Sequence, residues 1–278
     1  MLTEANNPRS AALLKAILYW TLFILLLFIG GMFIVRIFPA KWERFVYGIS
    51  GTIGSFLAVW ALLKLEKKSF CDYGLTWQKN TVLRFTKGLM IGTISFGFII
   101  AILLLFTELK LTRSTKAWDP MMLFWYLAII PLALMEEVAF RSYAFIKLHE
   151  AFGLRITQLI VAIVFALYHL VQGWNWQVAF LGPGIWALVF GLAAVWSKGI
   201  AVPAGIHVAL NVMQTLFGMK EKAGDHIWSV QLIDHASAAA IEQAQSWGII
   251  TQVLVFVVAV ILTEFFLRKR ESPSSVIT

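Results

Sequence analysis

Charge is scarce in this chain of 278 residues, where Asp, Glu, Lys and Arg together make up only 14%. A soluble domain carries about 25% charged residues, and here the apolar share is 60% with a mean hydropathy of +0.79. Those proportions exclude an ordinary soluble domain. Cysteine is rarer still. Cys71 stands alone, which rules out an internal disulfide and a cysteine-rich metal site, and it reads as a small apolar residue near a membrane surface. The helix motif His-Glu-x-x-His is missing, and with it the strong sequence signal for a zinc peptidase. Internal repeats and low-complexity tracts are absent too.

Long apolar runs take up the room that charge leaves. Runs fall at about 11–37, 45–65, 87–106, 121–147, 155–171, 178–196, 200–219 and 247–267. Eight spans of about 20 residues use most of the length. The fold class is therefore all-α, a polytopic transmembrane bundle of about eight spans around a polar cavity. We read 1–278 as a single membrane-embedded domain. The first run is too long for the core of a secretory signal, about 7–15 residues, so it reads as a retained span. Gly48, Gly51 and Gly54 recur at helical spacing on the second span and predict close packing inside the bundle. Pro131 predicts a kink in the fourth span. Gly182-Pro183-Gly184 predicts a bent start to the sixth. Gly173-Trp174-Asn175-Trp176 reads as a loop with interfacial tryptophans. The polar stretches are loops at 107–120 and 220–246, the latter long enough for an amphipathic surface helix.

The net charge of +8 fits contact with anionic lipid rather than nucleic acid. With eight spans, the termini and loops two, four and six share a side bearing 14 Lys and Arg, against 8 on the other. The positive-inside rule places both termini in the cytoplasm.

Three spans carry polar residues that lipid does not favour. Each charge at the centre of a span costs about 2.5–3.5 kcal/mol on insertion scales. On the fourth span, Glu137 and Arg141 are four apart and share a face, which favours an ion pair. Glu136 is turned about 100° from Glu137 on a helix of 3.6 residues per turn, and is the freer carboxylate. On the fifth, Phe165 and His169 share a face; on the seventh, His207 and Asn211 do. Each motif alone has a structural reading: an ion pair between helices, a packed histidine, an amide that joins two spans. His149, His226 and His235 fall in loops. Taken jointly, two carboxylates, two imidazoles and an amide on three helices suit hydrolysis. A buried glutamate takes a proton from water, and imidazole and amide donors face a developing oxyanion. A metal site built from Glu136, His169 and His207 with zinc is the rival chemistry. A non-catalytic scaffold and a proton-coupled transporter are rival classes, the latter weakened by the absent repeat.

These motifs resemble those of the CPBP family, the type II CAAX prenyl endopeptidases and bacteriocin-processing Abi proteins. The family pattern Glu-Glu-x-x-x-Arg, Phe-x-x-x-His, His-x-x-x-Asn stands here as Glu136-Glu137-Val138-Ala139-Phe140-Arg141, Phe165-Ala166-Leu167-Tyr168-His169 and His207-Val208-Ala209-Leu210-Asn211. The resemblance covers a core of about 121–217. Ser142 departs from the glycine that often follows the arginine. The resemblance implies a helical bundle around a conical water-filled cavity and an intramembrane endopeptidase. It implies Glu136 as general base, His169 as its aid in holding water, and His207 with Asn211 as the oxyanion hole. Glu137 and Arg141 become a supporting pair, and no metal or other cofactor is needed. The implied partners are membrane lipids and a peptide or lipidated protein substrate, of CAAX, bacteriocin or signal-peptide type. A self-immunity protein of the same fold is the alternative. The compact chain suggests a prokaryotic plasma membrane and sets no oligomeric state.

Overall fold

Apolar segments in a bilayer must satisfy their backbone groups internally, which leaves helices as the structure for these runs. The computed structural model describes residues 7–114, 119–220, 226–232 and 235–271. Its α-helices are α1 (Pro8–Ile29), α2 (Glu43–Glu66), α3 (Thr81–Phe106), α4 (Met121–Tyr126), α5 (Ile129–Arg141), α6 (Tyr143–Val171), α7 (Trp176–Ala179), α8 (Ile185–Ser197), α9 (Ala201–Leu216) and α10 (Ala238–Glu271). Two short strands, β1 (Leu109–Arg113) and β2 (Trp228–Leu232), and five short 3-10 or π-helical segments complete the set among the described residues.

Six helical stretches are long and apolar enough to cross a membrane: Pro8–Ile37, Ala40–Glu66, Thr81–Phe106, Met121–Val171, Trp176–Ser197 and Ala238–Glu271. The 51-residue stretch Met121–Val171 is two arms rather than one, because Gly153 (φ 76°, ψ 174°) breaks the helix and the chain turns back. Phe140 consequently packs on Phe165 with ring centroids 4.8 Å apart. α9 has 16 residues, ten of them buried, and is shorter than the six qualifying stretches. The described residues thus form eight helical arms of an all-α bundle in an integral membrane protein.

The fourth arm is interrupted twice. It breaks between α4 and α5 at residues 127–128, one turn before Pro131, where the proline ring would meet the carbonyl four residues back. Pro131 itself sits in the first turn of α5, and its carbonyl accepts from Thr52 Oγ1 at 2.8 Å. The second break is at Ser142 (φ −106°, ψ −115°), so the span expected over 121–147 with a kink only at Pro131 also breaks after Arg141. Gly182-Pro183-Gly184 lies in a π-helical segment between α7 and α8, the bent start that the sequence predicts.

Loops two, four and six meet on one face with the two described ends. Glu66 pairs with Lys15 at 2.7 Å and Lys147 at 2.9 Å, and Tyr143 donates to it at 2.8 Å. Arg155 grips Glu264 through two bonds of 2.6 and 2.7 Å, and Arg9 lies over the Phe152 ring. On the opposite face β1 and β2 pair antiparallel, Leu109 opposite Leu232. The stretch 220–246 differs from expectation here: residues 228–232 form a strand and α10 begins at Ala238, so no separate surface helix exists among the described residues. The rest of that stretch, at 221–225 and 233–234, lies outside the described residues, as does 115–118 of the other polar loop.

Two glycine contacts set the spacing of the central helices. The α2 face bearing Gly48 and Gly51 packs against α5, and a Cβ at Gly51 would overlap Met135 Sδ, one residue from Glu136. The second contact was not anticipated: Gly88 of α3 and Gly205 of α9 meet so closely that a Cβ at either would overlap backbone of the other helix. Small residues of this kind let backbones approach where apolar surface offers no drive against lipid. Gly88→Leu should lower the unfolding temperature in detergent sharply, since overpacking costs about 1–3 kcal/mol or more. Gly97→Ala, on the same helix with nothing within 4 Å of its added Cβ, should leave it unchanged or slightly raised.

Candidate active site

The two adjacent glutamates of α5 point to different partners. Glu137 is fully buried, and its two oxygens are divided between helices. Oε1 accepts from His207 Nδ1 of α9 at 2.8 Å, and Oε2 lies 3.4 Å from Arg141 Nε on its own helix. The Arg141 contact is an ion pair without hydrogen-bond alignment. Its guanidinium is held instead against rings, 4.4 Å from the Phe165 centroid and 5.0 Å from that of Phe190. Such contacts stabilise a desolvated cation by about 2 kcal/mol. The expected pair of Glu137 with Arg141 is therefore present, and Glu137 has a second commitment that sequence spacing did not reveal.

Glu136 is left without a bonded partner. Its Oε2 is buried, makes no hydrogen bond among the described residues, and faces His207 Nε2 at 3.7 Å. His207 therefore lies between the two carboxylates, its ring stacked on Phe190 at 4.9 Å and 14°. Because Nδ1–H is given to Glu137, Nε2 is an acceptor in the neutral ring and donates only when both nitrogens carry protons.

His169 is fixed by its own helix. Nδ1 donates to the Phe165 carbonyl at 2.8 Å, which leaves Nε2 as the free nitrogen. Phe165 and Trp174 meet the ring edge-on at 4.7 and 5.0 Å. Trp174 is thus a wall of the site as well as a loop tryptophan. The electrostatic neighbours of His169 are Glu136, His207 and Lys220, so the three motifs converge on one place.

Asn211, one turn beyond His207, accepts at Oδ1 from Lys220 Nζ at 2.6 Å. Burial pushes the Lys220 ammonium down to about 8, with the Glu136 charge acting in the opposite direction. Sequence reasoning counted Lys220 only as a loop charge. Nine residues from Asn211 and beyond the end of α9, it shares no helical face with the motif, so no spacing could have marked it.

Position of the α5 end follows from two long bonds: Tyr19 donates to the Val138 carbonyl at 3.0 Å and Trp20 to that of Ala139 at 3.1 Å. Ser142 Oγ also donates to the Val138 carbonyl. These satisfy carbonyls that the break at Ser142 frees. A cavity of about 510 Å³ opens beside the site between α1, α2 and α6, lined by Trp20, Phe23, Leu27, Tyr47, Phe140 and Tyr168 among others. It is apolar, and the polar residues of the three motifs do not line it. Tyr47 and Tyr168 separate it from Glu136, whose charge acts on both.

Among the described residues no three His, Cys, Asp or Glu side chains converge as a set for a metal ion. His169 and His207 each hold Nδ1 in a hydrogen bond and leave Nε2 free.

Residues 117–213 match the family described as type II CAAX prenyl endopeptidase Rce1-like. The membrane-embedded CAAX protease MroQ of Staphylococcus aureus (strain USA300) is 35% identical over 104 residues, covering 35% of this chain and 39% of that protein. The chain thus matches well under two thirds of its relative's length.

The division between the glutamates has a measurable consequence. Glu137→Gln leaves Arg141 buried without its counter-charge and should destabilise the fold by about 3–5 kcal/mol, the usual cost of breaking such a pair. Glu136→Gln removes no bond and should change the unfolding temperature by far less in the same thermal assay.

Proposed function

We propose that the protein is an intramembrane endopeptidase that hydrolyses a peptide bond in a membrane-associated peptide or lipidated protein. The observation that carries the proposal is a half-buried Glu136 whose buried Oε2 makes no hydrogen bond and faces His207, while Glu137 is fully engaged. Glu136 takes a proton from water as the water oxygen attacks the scissile carbonyl carbon. His169, through its free Nε2, holds that water. His207 and Asn211 donate to the oxyanion that forms, and His207 does so in its doubly protonated state. When the C–N bond breaks, the proton held by Glu136 passes to the leaving amine. Glu137 and Arg141 orient His207. No metal enters the sequence of steps.

The similarity to a protein described as a CAAX protease supports the reaction class. The apolar cavity beside Tyr47 and Tyr168 is suited to an apolar part of such a substrate. The charge asymmetry of the loops supports an orientation with both termini in the cytoplasm.

Glu136→Ala and His169→Ala proteins that keep their unfolding temperature should lose cleavage. Comparing peptides from membranes that carry wild-type or Glu136→Ala protein checks this, with substrate accumulating intact in the variant. Chelators should leave the wild-type rate unchanged. Undiminished cleavage by Glu136→Ala would overturn the mechanism, and an intact phenotype without cleavage would favour a scaffold.

A further inference from the structure

Asn211 carries an acceptor and a donor on one planar amide, and the two ends have opposite uses at an oxyanion. Which end faces the reacting centre is decided by what holds the other. Lys220 Nζ lies 2.6 Å from Asn211 Oδ1. An ammonium has only donors, so it fixes the amide oxygen on its own side and turns the Nδ2 hydrogens away from it. We propose that Lys220 is a positioning residue that locks the Asn211 amide with its donor end towards the oxyanion.

The inference rests on the protease reading above and adds to it a residue outside the three motifs. Lys220 follows α9 directly, in a segment tied back to that helix. Met219 N donates to the Gln214 carbonyl at 2.8 Å, and Ile227 N to that of Leu216 at 3.1 Å. Its charged surroundings come from three elements: Glu136 on α5, Arg44 on α2 and His169 on α6. Neutral Lys220 can accept as well as donate, so the amide is no longer held in one sense above the lysine's titration near 8. The rate should then fall on the alkaline side of that value.

The test compares wild type, Lys220→Met, Lys220→Arg and Asn211→Ala, reconstituted in liposomes with a substrate peptide whose cleavage depends on Glu136. Lys220→Met should lower kcat by about 10- to 100-fold with little change in KM, short of the full loss of an oxyanion donor, about 10²–10³-fold. The share of the alkaline fall near pH 8 that Lys220 contributes should be lost in this variant. Lys220→Arg, which keeps the donors, should restore most of kcat and move the fall to higher pH. Thermal unfolding of the two single variants and of the Lys220→Met, Asn211→Ala double variant should be non-additive, which reads the contact without any substrate. Additive unfolding shifts, or an unchanged kcat and pH profile in Lys220→Met, would overturn the proposal while leaving Glu136-dependent cleavage standing. If no Glu136-dependent cleavage exists at all, the protease reading fails first and the role of Lys220 falls with it, even where the unfolding shifts are coupled.

Discussion

The bond between Glu137 of α5 and His207 of α9 is the interaction on which the site depends. It joins two helices that are 70 residues apart in sequence, in a setting where a lone charge is costly. The carboxylate meets this constraint by taking two partners, the imidazole at 2.8 Å and the guanidinium at 3.4 Å. Arg141 in turn has little hydrogen bonding and relies on the faces of Phe165 and Phe190. Phe190 also stacks on His207, so one ring supports both partners of Glu137. With Glu137, Arg141 and His207 fixed in this way, Glu136 is the carboxylate of the pair left without a hydrogen-bonded partner.

Such a cross-helix bond needs its helices at a fixed separation, and the glycines supply it. α2 approaches α5 through Gly48 and Gly51, and α3 approaches α9 through Gly88 and Gly205. The helices that carry Glu136 and His207, α5 and α9, are thus each braced across a crossing where glycine leaves no side chain. Beyond the ends of these helices, segments with little regular structure add to the site. Trp174 closes over His169, and Lys220 reaches Asn211. Rigid helices place the motif residues, and loops finish their surroundings.

Much of the fold was legible because apolar runs leave the backbone one solution in lipid. The positions of the arms, the bend at Gly182-Pro183-Gly184 and the packing face on α2 follow from local pattern. The break at Ser142 and the strand at 228–232 do not, since each depends on partners distant in sequence: Tyr19 and Trp20 for the first, β1 for the second. The same boundary runs through the site. Spacing on a helix separates Glu137 from Glu136 and joins it to Arg141, which is local information. That Glu137 also binds His207, and that Lys220 holds Asn211, could not be read from any helical period. Gly88 and Gly205 were visible as letters, but only the fold shows that they face one another.

In the proposed mechanism Glu136 delivers a water oxygen to a peptide carbonyl while Glu137 holds the site together. Single-turnover cleavage in water enriched with oxygen-18, by folded wild-type and Glu136→Gln protein in liposomes, addresses it most directly. One heavy oxygen is expected in the new carboxyl terminus of the wild-type product, and no product from Glu136→Gln. Product released by Glu136→Gln at the wild-type rate, or wild-type product lacking the heavy oxygen, would contradict it.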